Sequence, residues 1–89
     1  MRAVITVTGK DNLGIIAKVS GVCFSHGVNI LDISQSVLQD FFMMSMLADV
    51  TASDVPFGQF VDIMSELGRA NNLQIYTMHE DIFNSMHKI

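Results

Sequence analysis

The chain has 89 residues, 49% of them apolar and only 16% charged, with a formal net charge of −4. That length holds one domain, which on its own buries only about 60–65% of its unfolded surface, so the surplus apolar surface points to a partner subunit. Five basic residues spread along an acidic chain make neither a phosphate-backbone footprint nor a membrane-surface patch, so neither nucleic acid nor membrane is an expected partner.

Residues 2–8, with the β-branched run Val4-Ile5-Thr6-Val7-Thr8, read as a first strand. Residues 14–26 read as a helix in which Ile16, Val19 and Cys23 share a stripe, with Ile15 and Val22 beside it. Asp11 or Asn12 can cap its start, and Gly27 suits a left-handed stop after its last turn. Gly21 costs this helix about 1 kcal/mol of propensity, and close packing against a sheet is the expected reason for it.

Residues 28–39 form a long second strand, Asp40 marks a tight turn, and residues 41–51 form a third strand, paired with the second as a hairpin. On the second strand Leu31, Ile33 and Val37 are expected on one side and Ile30 and Leu38 on the other. On the third, Met43 and Leu47 oppose Met44, Met46 and Val50. Pro56 suits the first turn of a second helix carrying Phe57, Phe60, Met64 and Leu67 at three- and four-residue spacing. Asn71-Asn72 ends that helix, and residues 73–78 are a fourth strand. The tail, residues 79–89, reads as a short terminal helix with Ile82, Phe83, Met86 and Ile89 on one face.

The expected architecture is a single α+β domain, a ferredoxin-like βαββαβ sandwich. A four-stranded antiparallel sheet carries both long helices on one face, with a short C-terminal helix in addition. Apolar residues on both sheet faces point to a homodimer or higher homo-oligomer formed through a sheet face, a sheet edge or the tail helix.

Chemistry concentrates in Thr8-Gly9-Lys10-Asp11-Asn12-Leu13-Gly14-Ile15-Ile16, between the first strand and the first helix. The first N–H groups of that helix have no partner inside it and sit at the positive end of its dipole, where a small carboxylate can be held. Gly14 and Ile15 offer such amides, and Gly14 has no Cβ to block close approach. Asp11 can accept from an ammonium, and Asn29 can both donate and accept. The same residues also serve structure: Asp11 or Asn12 as a cap, Gly14 for close packing, Asn29 at the start of a strand.

The remaining candidates read as structural. Cys23 cannot form an internal disulfide and suits a small buried hydrophobe in a reducing, cytoplasmic setting. His79 and His87, with Glu80 and Asp81 nearby, follow no metal-ligand spacing and read as surface histidines. The methionines read as packing. The N-terminus shows no leader, and no apolar run is long enough to span a bilayer. No nucleophile–base spacing or phosphate loop points to catalysis, and no cofactor is expected. Acylphosphatases share the βαββαβ order but need an arginine in the loop that here carries Lys10. Copper chaperones need a Cys-x-x-Cys, which is absent, and RNA-recognition motifs need aromatic residues on a first strand that has none.

The loop Asp11-Asn12-Leu13-Gly14-Ile15, followed by Gly27-Val28-Asn29-Ile30 and set in the βαββαβ order, resembles an ACT domain. The resemblance covers nearly the whole chain. Asn29-Ile30-Leu31-Asp32-Ile33-Ser34-Gln35 and Glu80-Asp81-Ile82-Phe83-Asn84 are similar to the free-standing, single-domain ACT proteins of bacteria and archaea. The resemblance implies a regulatory module that binds an amino acid or another small metabolite and acts through a partner protein. It implies a ligand held between two domains, against Asp11, Asn12, Leu13, Gly14 and Ile15 of one and Asn29 and Ile30 of the other. Two departures limit the transfer. Leu13 stands where many members have proline, and Gly9 and Asp11 stand where some serine-responsive members have histidine and asparagine. The alternative function is a structural subunit that uses the same assembly with no ligand.

Overall fold

The computed structural model describes residues 1–10 and 14–86. The elements run β1 (Arg2–Lys10), α1 (Ile15–Ser25), β2 (Asn29–Leu38), β3 (Phe41–Asp49), α2 (Phe57–Ala70), β4 (Gln74–His79) and α3 (Glu80–Met86). The strands form one antiparallel sheet in the order β2-β3-β1-β4. Each long helix is therefore the crossover of a split βαβ unit, β1–α1–β2 passing over β3 and β3–α2–β4 passing over β1. This is the ferredoxin-like sandwich that the element order predicts.

Strand alternation assigns the faces. Ala3, Ile5 and Val7 of β1 and Met44, Met46 and Ala48 of β3 are buried under the helices. They meet Ile15, Val19 and Cys23 of α1 and Phe60 and Met64 of α2. The predicted division of β3 holds, since Met44 and Met46 are buried while Met43 is half exposed. On α1 the buried stripe runs through Ile15 rather than Ile16, which is 38% exposed. The packing expected at Gly21 is absent: nothing lies within 4 Å of where its Cβ would be, so sheet contact does not explain this glycine.

The faces of β2 also differ from strict alternation. A bulge between Ile30 and Asp32 absorbs one residue, so Ile30 pairs with Ala48 and Ile33 with Met46, both on the helix-covered face. Ile30 thereby joins Ile33 and Val37, while Asp32 keeps its ordinary place on the opposite face, level with Leu47. A period-two reading of sequence cannot register an inserted residue, which is why Ile30 was expected on the other side.

Turn chemistry follows the sequence closely. Gly27 takes φ 76° and Asn72 φ 57°, both left-handed as expected after a helix. In the two-residue hairpin turn it is Gln39, next to Asp40, that takes the positive φ of 57°. Pro56 stands one residue before α2, at its N-cap, instead of inside the first turn.

The tail helix folds back under the sheet face that α1 and α2 leave open. Phe83 turns toward Val4 and Leu47, while Ile82 and Met86 point outward, 56% and 66% exposed. The single stripe expected on this helix is therefore divided, and Ile89 lies outside the described residues. An ion pair of 2.6 Å between Arg2 Nη2 and Glu80 Oε2 fastens the start of α3 to β1. No helix among the described residues is long and apolar enough to cross a bilayer.

Candidate functional site

Of the seven residues expected to bind a ligand, Asp11, Asn12 and Leu13 lie outside the described residues. Gly14 is the N-cap of α1, exposed, with φ 80° and ψ 12°. Nothing lies within 4 Å of where its Cβ would be, so the left-handed backbone and not tight packing requires glycine here. Its carbonyl accepts the first helical bond from Lys18 N at 2.9 Å. The amides at this end of α1 have no acceptor within the helix. Ile15 differs: the residue is 3% exposed and belongs to the core, so its side chain serves packing.

Asn29 opens β2 with an exposed side chain and pairs with Asp49 in the ladder. Ile30 is half buried against the core, so its side chain also serves packing.

The two halves of the candidate site do not meet within one copy of the chain. The C-terminal end of β1 is level with Phe41, through the pair Lys10↔Phe41, and Gly14 follows that end. Asn29 is level with Asp49 at the other end of β3. Eight strand steps of about 3.4 Å separate the two levels, or about 27 Å. Gly14 and Asn29 therefore lie at opposite ends of the sheet. Between them runs β2, an edge strand whose outer side pairs with nothing among the described residues. Along it Leu31, Ile33, Val37 and Leu38 are 37–71% exposed.

Gly9 defines the neighbourhood of the loop further. A Cβ there would lie 2.5 Å from Leu73 Cδ2, so any side chain at this position requires Leu73 to turn away. A histidine here, as in the serine-responsive pattern, would need Leu73 to move aside.

The other titratable groups do not form a metal centre among the described residues. His79 Nδ1 accepts from the Asp81 amide at 3.1 Å, which leaves Nε2 as its protonated nitrogen when neutral. His87 lies outside the described residues. Burial pushes the Cys23 thiol up to about 11, so it is a poor nucleophile at neutral pH.

Sequence reasoning missed the left-handed Gly14, which it read as a place for close approach. It also missed a cavity on the open sheet face, because that cavity exists only where α3 folds back over the sheet.

The family model of the ACT domain matches residues 2–74. A UPF0237 protein of Clostridium perfringens is 48% identical over 89 residues, covering 100% of both chains. The structure of an ACT domain protein from Streptococcus pneumoniae superimposes with a TM-score of 0.82 at 37% identity, over 93% of each chain. A protein designated a glycine cleavage system transcriptional repressor superimposes with a TM-score of 0.73 at 25% identity, over 89% of this chain and 47% of that one. The chain belongs to the ACT domain family of regulatory ligand-binding modules.

Proposed function

We propose that this ACT domain binds a small amino acid between two copies of itself and passes that signal to a partner protein, without catalysis of its own. The observation that carries the reading is the placement of exposed Gly14 and exposed Asn29 at opposite ends of the sheet, with the outer side of β2 unpaired among the described residues. An unpaired edge strand is a template for pairing with another chain. Two copies joined antiparallel through β2 bring the start of one strand beside the end of the other. Asn29 of one copy then approaches the loop before α1 of the second, and two such sites form by symmetry. At each, the amides at Gly14 and Ile15 suit the carboxylate of a zwitterion, and Asp11 and Asn29 suit its ammonium.

The reading also gives this ACT domain a route to regulation. A ligand that bridges two subunits stabilises one dimer arrangement over others, and a partner recognises that arrangement. The likeness to the repressor, of which this fold is about half, supports an output carried by other protein. A reducing cytoplasm suits the single buried cysteine.

Light scattering at micromolar concentration, combined with thermal unfolding in each of the twenty amino acids, tests the proposal. The expected result is a dimer that one or a few amino acids stabilise, by about 2.7 kcal/mol at a hundredfold excess over Kd. Asp11→Ala with Asn29→Ala should abolish that stabilisation. A monomeric mass overturns the shared site. A dimer that no amino acid stabilises supports instead a ligand-free assembly subunit, a role that the apolar β2 edge could fill by itself.

A further inference from the structure

The open face of the sheet carries a second feature that the interface reading does not use. The ladder sets Ser34 opposite Ser45, Ser45 opposite Thr6, and Thr6 opposite Tyr76. One hydroxyl from each of the four strands thus forms a row across the middle of this face. The row gives this face hydrogen-bonding capacity. Beside this row, between the sheet and α3, lies a cavity of about 250 Å³.

Its walls have two chemistries. Val4, Leu47 and the ring of Phe83 supply an apolar surface. Asp32, Ser34 and Ser45 from the sheet and Asn84 from α3 supply polar atoms around it. Glu80 also borders the cavity, but its charge is matched by Arg2 at 2.6 Å. Asp32 forms no ion pair among the described residues, and ordinary alternation with Ile33 sets it on this side, level with Leu47. The net unmatched charge of the cavity is therefore negative. Gly14 and Asn29 do not line it.

We propose that this cavity is a binding site for a small primary amine with a short apolar body. The ammonium donates to the Asp32 carboxylate and to the hydroxyls of Ser34 and Ser45, and the carbon chain lies on Leu47 and Phe83. A charge-assisted bond to Asp32 orients the ligand. An anion is repelled here. A zwitterion is disfavoured because its carboxylate would face the acidic rim, and a neutral alcohol leaves Asp32 unmatched. The site is thus distinguished chemically from one that holds amino-acid carboxylates on helix amides, and it stands whether or not that one is occupied.

Titration of the ¹⁵N-labelled full chain with 3-methylbutylamine, followed by amide chemical shifts, tests the proposal, with 3-methylbutanol as the uncharged counterpart. The expected result is saturable movement of the Asp32, Ser34, Ser45, Phe83 and Asn84 amides with the amine and none with the alcohol. Asp32→Asn should weaken binding at least tenfold, while Asp62→Asn, which removes an exposed acid on α2, should leave it unchanged. A wild-type-like spectrum of each variant confirms that it folds. Unsaturable shifts, equal binding of the alcohol, unchanged affinity in Asp32→Asn, or movement centred on Gly14 and Asn29 would each overturn the assignment.

Discussion

The carbonyl oxygen of Ala52 lies only 2.6 Å from where a Cβ on Gly27 would sit. The turn after α1 and the loop before α2 are thus in backbone contact, and two further bonds tie them. Asp54 N donates to the His26 carbonyl at 3.0 Å, and the Asp54 carboxylate lies 2.8 Å from His26 Nδ1. The His26 ring in turn meets Phe60 edge to face, with centroids 6.4 Å apart. This junction fixes where β2 begins, and hence where Asn29 stands.

Gly27→Ala should therefore be severely destabilising. The left-handed backbone costs an alanine about 1–2 kcal/mol, and the clash with a backbone oxygen adds to it. Urea unfolding should show a loss of more than 2 kcal/mol at unchanged m value. A loss under 1 kcal/mol would mean that the two loops separate easily.

Gly21→Ala should act in the opposite direction. This glycine is inside α1, exposed, with open space where a Cβ would project. Helix propensity alone then favours alanine by about 0.8–1 kcal/mol. The urea midpoint should rise. A fall would reveal that another chain packs on this face of α1.

These two glycines also mark what a sequence makes legible. Gly27 follows a helical pattern and precedes a strand, so its conformation is readable from position alone. Gly21 offers no such context, and its lack of neighbours is a property of the folded surface. The same contrast applies to the candidate site. Gly14 and Asn29 are visible as types at a spacing, but their separation by the length of the sheet follows from topology. The bulge at Ile30 and Asp32 depends on which residues of β3 lie opposite, and that pairing is written in no local run of residues. Hydrophobic periodicity finds Val19, Cys23, Phe60 and Met64 because the helices bury one stripe, whereas α3 divides its stripe between the sheet and solvent.

Cys23 should resist modification in the native protein. It is fully buried, and burial pushes its thiol up to about 11. Iodoacetamide at pH 8 should label it only as fast as the domain opens, and promptly in denaturant. Cys23→Ser should cost about 1–3 kcal/mol, since it leaves a hydroxyl in an apolar site. Rapid native labelling would show that α1 lifts from the sheet without global unfolding.

Asp49 closes β3 level with Asn29, and its carboxylate is held below the usual value of 3.8. The Thr51 side chain is the main cause, followed by the Thr51 amide, which donates at 2.9 Å. The N-terminal ammonium, 3.9 Å away, adds to this. A carboxyl whose value is lowered by folding stabilises the native state above its unfolded value and loses that contribution as pH falls through the folded one. Asp49→Asn keeps an acceptor oxygen but removes the charge. Its urea midpoint should lie below wild type at neutral pH and converge with it as pH falls below 3.8. Because Asp49 is exposed to solvent, added salt should narrow the neutral-pH difference as well. A gap that persists in acid would assign the effect to geometry at the start of β2 and not to charge.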